Sequence, residues 1–371
     1  MKVAVPAEVK NNEYRVAITP AGVHELVTHG HEVLVQAGAG DGSSIPDSAY
    51  KDAGASISKD AASTWSEAEM VLKVKEPIES EYGYFRKDLV LFTYLHLAAE
   101  PELTAALLNS GITAIAYETV QLPNRALPLL APMSEVAGRL APIVGANVML
   151  RPNGGPGLLV PGVPGTYPAK IVVLGGGVAG TNAVSVAVGL GADVTVLDTN
   201  IQRLRELDAL YAGRVKTIAS NAFEIDRAVV SADMVIGSVL VPGAKAPKLV
   251  SNELVSRMKP GSVLVDIAID QGGCFADSHP TTHADPTFTV HQSLFYCVAN
   301  MPGAVANTST YALTNATMPY VRSVANLGWL DALRADPSLA LGLNVHDGSV
   351  VNEAVATAHG MPHATLESVL G

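Results

Sequence analysis

The stretch KIVVLGGGVAGTNAVSVAVGLGADVTVLD, residues 170–198, decides the fold. It opens with Ile171 to Leu174, a short, uncharged and mostly β-branched run that stops at a glycine, which is typical of a buried strand. The spacing G-x-G-x-x-G follows, formed by Gly175, Gly177 and Gly180. In such a turn the first glycine permits the tight bend, the second lets a pyrophosphate approach the backbone, and the third lets the next helix pack closely. The stretch therefore predicts a strand, a phosphate-binding turn and a helix that begins at Val178.

The second strand of this stretch, Val194 to Leu197, ends in Asp198. A carboxylate about 20 residues beyond the glycine motif accepts hydrogen bonds from an adenosine ribose, and it repels a 2′-phosphate, so the pattern favours NAD over NADP. The same residues could instead form a strand, turn and helix without a ligand, or the uncharged run from Ile171 to Ala192 could span a membrane. The glycines, together with Thr181 and Asn182, favour a soluble βα unit over a span.

Length and composition restrict the class of protein. With 371 residues the chain is too long for one ordinary core, so two domains are expected. A hydrophobic content of 48% with 16% charged residues predicts a well-buried chain with further surface hidden between subunits. The net charge of -11 is spread along the chain and argues against nucleic acid and anionic membranes as partners. Two cysteines without paired spacing, and an N-terminus without a signal peptide, predict a reducing cytoplasm and no metal site.

The first part of the chain alternates predicted strands and helices, which indicates an α/β domain with a mostly parallel sheet. The expected strands are Lys2 to Val5, Glu32 to Gln36, Met70 to Lys75, Leu89 to Tyr94 and Thr113 to Tyr117. Ligands of such sheets bind beyond the carboxyl ends of the strands. The charged and polar side chains expected there are Arg15, Lys75, His96 and Glu118.

The rest of the chain completes the predicted architecture. A helix from Met133 to Leu150 leads into a second alternation of strands and helices, and from Thr308 onward the pattern is helical, with interruptions at Pro319, Gly328 and Pro337. The predicted fold class is α/β: two Rossmann-like domains, with doubly wound and mostly parallel sheets, joined by long helices. Residues 1–130 and 306–371 are expected to form a substrate domain and residues 131–305 an NAD-binding domain.

Four residues combine into a chemical hypothesis. His96 exchanges protons near neutral pH, Arg15 and Lys75 can bind a carboxylate, and Asp270 follows a strand of the nucleotide half. Each could also have a purely structural role: a buried histidine, a surface ion pair, a solvated lysine on the same strand face as Lys73, or an aspartate in a turn. Together they suit the oxidation of a small amino or hydroxy acid beside NAD.

Seven segments, in order, resemble the alanine dehydrogenase family, which includes the transhydrogenase alpha subunits. The segments are EVKNNEYRVAITP, LKVKEP, YLHLAA, APMSEVAGRL, VDIAIDQGGCF, FYCVANMPG and TSTYALTNATMPY. The resemblance covers essentially the whole chain. It implies reversible oxidative deamination of L-alanine to pyruvate and ammonia with NAD, by a protein that is usually a homohexamer. It also implies that closure of the two domains excludes water during hydride transfer.

The resemblance also assigns roles to residues. It implies that Arg15 and Lys75 bind the substrate carboxylate, that His96 acts as acid and base, and that Asp270 helps to activate the water that hydrolyses the imine. For the cofactor it implies Ser134, Gly175, Gly177, Val178, Ala179, Gly180, Asp198, Ser220, Val239, Leu240, Ile267, Ala268, Ile269, Asp270, Val298, Asn300 and Met301.

Some features depart from the family pattern, and other functions stay open. Ala306-Asn307 stand where a proline and a basic residue are expected, and His279 stands where arginine is expected, which affects cofactor affinity and not the reaction type. The alternatives are the NAD-binding subunit of a transhydrogenase, a saccharopine-type or other amino-acid dehydrogenase, and an NAD-responsive protein without turnover. The presence of His96 and Asp270 favours an enzyme over the last of these.

Overall fold

The structure is a computed structural model and describes residues 1–239 and 246–371. The chain divides into two compact units: Met1–Met133 together with Val305–Gly371, and Ser134–Ala304. The helix Ala131–Val148 contains one of the two chain boundaries between them. The assignment of one unit to the substrate and the other to NAD stays a prediction.

The strands form two sheets of mostly parallel strands. In chain order they are β1 Lys2–Val5, β2 Glu32–Gln36, β3 Ser56–Ser58, β4 Met70–Leu72, β5 Val90–Thr93, β6 Thr113–Ala116, β7 Lys170–Leu174, β8 Asp193–Asp198, β9 Val215–Ala219, β10 Met234–Gly237, β11 Val263–Asp266, β12 Thr287–Val290, β13 Ser293–Tyr296, β14 Leu343–His346 and β15 Ser349–Val350. The first sheet has the order β15-β14-β6-β5-β4-β1-β2-β3, and the second has the order β12-β13-β11-β10-β7-β8-β9. The antiparallel pairs are β14 with β6, β14 with β15, and β12 with β13.

Helices connect most of these strands. They are α1 Pro20–Thr28, α2 Asp47–Asp52, α3 Ala61–Ser66, α4 Pro101–Ser110, α5 Ala131–Val148, α6 Val178–Gly189, α7 Ile201–Tyr211, α8 Ala222–Ser231, α9 Asn252–Ser256, α10 Ala306–Leu327, α11 Trp329–Ala335, α12 Pro337–Ala340, α13 Glu353–His359 and α14 Leu366–Leu370. Local signals explain several of their ends. Thr19 caps α1 with Pro20 at the first helical position, Asn200 caps α7, and α4 ends at Gly111 in the left-handed conformation. The α/β class predicted from the sequence is confirmed.

The fold excludes a membrane span in residues 171–192. This segment forms β7, the glycine turn, α6 and the turn before β8, so no single helix runs through it. Across the part of the chain that the structure describes, no helix is both long and apolar enough to cross a membrane.

The strand expected from Met70 to Lys75 is shorter in the structure, because β4 ends at Leu72. Beyond it, the carboxylate of Glu8, and not a neighbouring strand, accepts a hydrogen bond of 2.6 Å from the backbone N–H of Val74. The sequence pattern did not predict the environment of Lys73. Lys73 is fully buried and forms ion pairs with Glu8 at 3.1 Å and Glu81 at 2.9 Å.

Two expectations for the last part of the chain are also wrong. Pro319 does not interrupt its helix, because α10 continues through it with a buried face on both sides, including Leu313 and Val321. A proline within a helix removes one backbone hydrogen bond, and packing of the buried face offsets that loss. Residues 343–350 are not helical: they form β14 and β15, and β14 joins the edge of the first sheet, where it pairs with β6.

Candidate dinucleotide and substrate sites

The glycine turn after β7 has the geometry that its spacing predicts. Gly175 has a φ of +98°, which favours glycine, and a Cβ on Gly180 would lie 1.8 Å from the carbonyl oxygen of Gly175. A Cβ on Gly177 would meet no atom within 4 Å, so the backbone there faces open space. Helix α6 begins directly after this glycine and directs its free N–H groups toward that space. The turn can therefore hold a pyrophosphate against backbone.

Asp198 lies beside the turn at the end of the neighbouring strand. Its Oδ2 accepts a hydrogen bond of 2.6 Å from the N–H of Gly176, and its Oδ1 accepts one of 2.7 Å from the N–H of Asn200. A carboxylate has about four acceptor positions, so these two bonds leave capacity for two ribose hydroxyls. The half-buried carboxylate and the open space at Gly177 fit the adenosine and pyrophosphate groups of NAD.

Two residues that the sequence did not single out support the turn. The Ser238 hydroxyl lies 2.9 Å from the carbonyl oxygen of Leu174 and 3.0 Å from that of Gly175, and it donates to them. Arg203 donates from Nε to the carbonyl oxygen of Gly176 at 2.6 Å. Ser238 directly follows β10, so its position at a strand end was a usable signal, whereas Arg203 lies within α7 and gave none.

Other candidate cofactor residues surround the same turn. A Cβ on Gly138 of α5 would lie 2.2 Å from the carbonyl oxygen of Ala179, so this helix, which also carries Ser134, packs closely on the start of α6. The N–H of Ser220 donates to the carbonyl oxygen of Asp198 at 2.9 Å. Val239 packs across the turn, because its Cγ2 would lie 3.0 Å from a Cβ on Gly175. Val178 is exposed at the first turn of α6, and Leu240 lies outside the described residues.

The segment after β11 carries Asp270 on a short 3-10 turn, Ile267–Gln271. Asp270 is exposed, and Ile269 is buried in the core. Buried Asp266 closes the segment: it accepts hydrogen bonds from the N–H of Ala268 at 3.1 Å and of Cys274 at 2.8 Å. Burial raises the pKa of Asp266, and these bonds, with one from Ser278, counter the rise. Asp266 is a further residue that the sequence analysis missed.

The last group of candidate cofactor residues follows β13. The side chains of Val298 and Met301 are buried in the hydrophobic core of the second unit. Asn300 is half-buried and adopts a left-handed backbone conformation with a φ of 57°. The structure therefore places two of the three side chains in the core, and Asn300 and the backbone form the accessible part of this segment.

Arg15 is a buried cation of the first unit. Its Nε donates to Glu13 Oε1 at 2.6 Å and its Nη2 to Glu13 Oε2 at 2.5 Å, and Nη1 lies 2.9 Å from the sulfur of Met133. Burial lowers the pKa of Arg15, but the Glu13 carboxylate outweighs it, so the pKa stays above its usual value. The fork is held rigidly in the interior, so the expectation of a surface ion pair is wrong.

Lys75 follows β4 and lies in a buried ionic environment. Its side chain is 15% exposed, and its Nζ lies 4.0 Å from Oε2 of Glu76. Glu76 also forms an ion pair with Lys10. Burial raises the pKa of Glu76, but Lys75, His96 and Lys10 together outweigh burial and hold it below its usual value. Lys75 is therefore oriented by a carboxylate and is not a freely solvated lysine.

His96 follows β5 and is the accessible member of the group, with a side chain that is 40% exposed. Its ring stacks on Tyr94 with a centroid distance of 5.9 Å and an interplanar angle of 9°. Arg15 acts electrostatically on Tyr94, and His96 acts on Glu76. Arg15 and His96 thus share Tyr94 as a neighbour, and Lys75 and His96 share Glu76. Within the described residues, no group of three His, Cys, Asp or Glu side chains could hold a metal ion.

The glycine turn, Asp198 and the parallel strands around them define a dinucleotide-binding protein of the Rossmann class. Sequence profiles of the family narrow this class: the alanine dehydrogenase/PNT N-terminal domain matches residues 4–137 and the C-terminal domain matches residues 141–353. The chain belongs to the alanine dehydrogenase/PNT family. The resemblance seen in the sequence is therefore confirmed.

Individual proteins agree with this assignment. An alanine dehydrogenase of Mycobacterium tuberculosis (strain CDC 1551 / Oshkosh) is 62% identical over 370 residues, which cover 100% of both chains. A solved L-alanine dehydrogenase has a TM-score of 0.94 at 51% identity and covers 97% of this chain and 99% of its own. A transhydrogenase from Sinorhizobium meliloti has a TM-score of 0.82 at 28% identity and covers 95% of this chain and 100% of its own.

Proposed function

We propose that this protein catalyses the NAD-dependent, reversible oxidative deamination of L-alanine to pyruvate and ammonia. The family assignment and the full-length identity of 62% to an alanine dehydrogenase support the reaction. The observation that carries the proposal is that Arg15, Lys75 and His96 share neighbours in the first unit: His96 stacks on Tyr94, on which Arg15 acts electrostatically, and Lys75 and His96 both act on Glu76. Two cations and a proton-exchanging group suit an amino acid, and a protein that only passes hydride between cofactors has no need of them.

Arg15 and Lys75 are proposed to bind the substrate carboxylate. The planar guanidinium favours a carboxylate geometrically, and the buried Glu13 fixes the plane of the guanidinium before the substrate arrives. Lys75 supplies a second positive charge, held near Glu76. A rigid pair of cations fixes the α-carbon of the substrate in one orientation, which is the requirement for transfer of its hydrogen.

His96 is proposed to move protons at the substrate nitrogen. Its imidazole is accessible, and an imidazole can accept a proton from the ammonium of alanine and return one in the reverse reaction. Asp270 is proposed to help activate the water that hydrolyses the imine. Its exposed carboxylate on the turn closed by Asp266 supports this role, because a supported turn holds the group in place.

The residues proposed to hold NAD are those of the second unit. The glycine turn with Val178 and Ala179 would hold the pyrophosphate, Asp198 and Ser220 the adenosine, and the remaining contacts would come from Ser134, Val239, Leu240, Ile267, Ala268, Ile269, Asp270, Val298, Asn300 and Met301. The chemistry that NAD supplies when bound is acceptance of a hydride from the substrate α-carbon. We accordingly propose residues 131–305 as the NAD-binding domain, and residues 1–130 with 306–371 as the substrate domain.

A homohexamer in the cytoplasm is proposed from the family resemblance. Large apolar side chains on the loop between α5 and β7 support an assembly, because Leu159, Val163 and Tyr167 are 54%, 55% and 93% exposed on the single chain. Two free, buried cysteines are compatible with a reducing compartment. Sedimentation of the purified protein measures the assembly, and cell fractionation measures the compartment.

A steady-state assay tests the proposed reaction. Purified protein is mixed with NAD and L-alanine at alkaline pH, and reduced nicotinamide is followed by absorbance, with NADP, glycine and L-lysine in parallel. We expect turnover with NAD and L-alanine, with little activity in the parallel reactions. Turnover with L-lysine and not alanine would favour a saccharopine-type enzyme. NADH binding without turnover of any amino acid would favour a transhydrogenase-like subunit or a binding protein.

A further inference from the structure

The backbone of His96 is held in an unusual conformation. The residue has φ 50° and ψ 32°, in the left-handed region that non-glycine residues rarely adopt. It connects the segment after β5 to a short 3-10 turn, Leu97–Ala99. Backbone strain of this kind persists only where the surrounding structure enforces it. Something beside His96 must therefore stabilise the left-handed conformation.

The side chain of Glu118 supplies that stabilisation. Glu118 follows β6, the parallel neighbour of β5, with Ala116 opposite Thr93 in the register. Its Oε1 accepts hydrogen bonds from the backbone N–H of His96 at 2.6 Å and of Leu95 at 3.1 Å. One carboxylate thus binds two consecutive N–H groups beyond the end of β5. The Glu118 side chain is only 15% exposed, so water competes weakly for these bonds.

The same carboxylate also faces the imidazole. Oε1 of Glu118 lies 3.9 Å from Nδ1 of His96, so an imidazolium formed there has a negative charge beside it. Glu76, itself paired with Lys10 and near Lys75, also interacts electrostatically with His96, and the Tyr94 ring stacks on the imidazole. On the other side of the turn, Nε2 of His359 in α13 lies 2.7 Å from the carbonyl oxygen of Leu97.

We propose that Glu118 is the positioning residue for His96: it fixes the left-handed backbone that presents the imidazole and places a counter-charge beside Nδ1. This inference rests on the proposed function, in which His96 moves protons at the substrate nitrogen. Glu118 itself acts through His96. Removal of its charge would destabilise the imidazolium. A shorter side chain would weaken the hydrogen bonds that hold the backbone of His96.

Two variants separate the effect of the Glu118 charge from the effect of its side-chain length. Glu118→Gln keeps the shape and one acceptor oxygen but removes the charge. Glu118→Asp keeps the charge but withdraws the carboxylate by one methylene. Glu102→Gln is the matched control, because Glu102 is an exposed glutamate in the first turn of α4 in the same unit. Circular dichroism and the Tm of each variant report whether it folds, and Glu118→Asp carries the comparison should Glu118→Gln not fold.

The first readout is activity. For Glu118→Gln we expect a kcat about tenfold to a hundredfold lower, with Kd for NADH changed by less than about twofold. The acid limb of kcat/KM for alanine should move to lower pH, because a neutral imidazole is favoured once the counter-charge is lost. Glu118→Asp should lower kcat with a smaller movement of the limb, and Glu102→Gln should change neither.

The second readout is independent of turnover. Imidazoles labelled with ¹³C are titrated by NMR, and His96 is assigned as the resonance that is lost in His96→Gln. A lower His96 pKa in Glu118→Gln than in the unmodified protein supports the proposal. An unchanged His96 titration, or an unchanged kcat, in a folded Glu118→Gln overturns it. Absence of alanine turnover in the unmodified protein would refute the proposed function instead, while the titration would still report the pairing.

Discussion

Asp198 Oδ2 accepts a hydrogen bond of 2.6 Å from the backbone N–H of Gly176, which links the end of β8 to the glycine turn after β7. This bond orders the glycine turn. The acceptor positions that remain on the carboxylate are the ones proposed for the ribose. Arg203 binds the carbonyl oxygen of the same glycine at 2.6 Å, so this glycine is held from both its N–H and its carbonyl side.

Replacement of Asp198 by alanine should weaken discrimination between the cofactors. We expect kcat/KM to fall with NAD and to rise with NADP, because the variant loses a ribose acceptor and a charge that repels a 2′-phosphate. Steady-state kinetics with both cofactors measures the change. Asp193→Asn, at the other end of β8 and paired with Lys216, is the control and should leave the ratio unaltered. Equal use of both cofactors by the unmodified protein would contradict the argument.

Gly180→Ala should weaken binding of the cofactor. The new Cβ would lie 1.8 Å from the carbonyl oxygen of Gly175, so the start of α6 must move away from the turn. Gly189→Ala in the same helix is the matched control, because its Cβ would meet no atom within 4 Å. NADH fluorescence titration should show a Kd raised at least about tenfold for Gly180→Ala, and an unchanged Kd with an unchanged or slightly higher Tm for Gly189→Ala. Similar affinities in the two variants would refute the proposed geometry of the turn.

Lys73→Met should strongly destabilise the first unit. Lys73 is fully buried between two carboxylates, Glu8 and Glu81, which outweigh the effect of burial and raise its pKa. Its removal leaves two buried carboxylates without the cation that they share, which costs about 3 to 5 kcal/mol of unfolding free energy. Denaturant titration and the Tm measure the loss. Lys59→Met, at a side chain that is 83% exposed, is the control, and an equal effect of both substitutions would contradict a stabilising role of the buried ion pairs.

Glu76→Gln should lower the Tm in a way that depends on pH. The folded protein holds the pKa of Glu76 below its ordinary value of 4.5, so the ionised form stabilises the fold. That contribution is complete above about pH 4.5 and is lost as the pH falls through the folded pKa. The difference in Tm from the unmodified protein should therefore be largest near neutral pH and shrink on acidification. Glu32→Gln, at an exposed glutamate, is the control. A Tm difference for Glu76→Gln that stays constant as the pH falls would contradict a stabilising role of the ionised Glu76 carboxylate.

Local signals determine what could be predicted from the sequence. The start of α6 at Val178 was predicted correctly, because the glycine turn before it acts within a few residues. The glycine motif and Asp198 were recognisable for the same reason: their spacing along the chain carries the chemistry.

Long-range contacts determine what could not be predicted. Burial of Lys73 depends on Glu8, which lies 65 residues earlier, and the left-handed backbone of His96 depends on Glu118, 22 residues later. Strand β14 becomes a strand because the edge of β6 accepts it, although its own segment followed a helical pattern.

The most direct test of the central claim is to follow the hydrogen on the α-carbon of alanine. Alanine deuterated at this carbon is incubated with the protein and NAD, and the reduced cofactor and the keto acid are analysed by mass spectrometry. The proposed reaction predicts that the reduced cofactor carries the deuterium and that pyruvate and ammonia form in equal amounts with it. Unlabelled reduced cofactor, or none at all, would contradict the proposal that this protein oxidises alanine by hydride transfer.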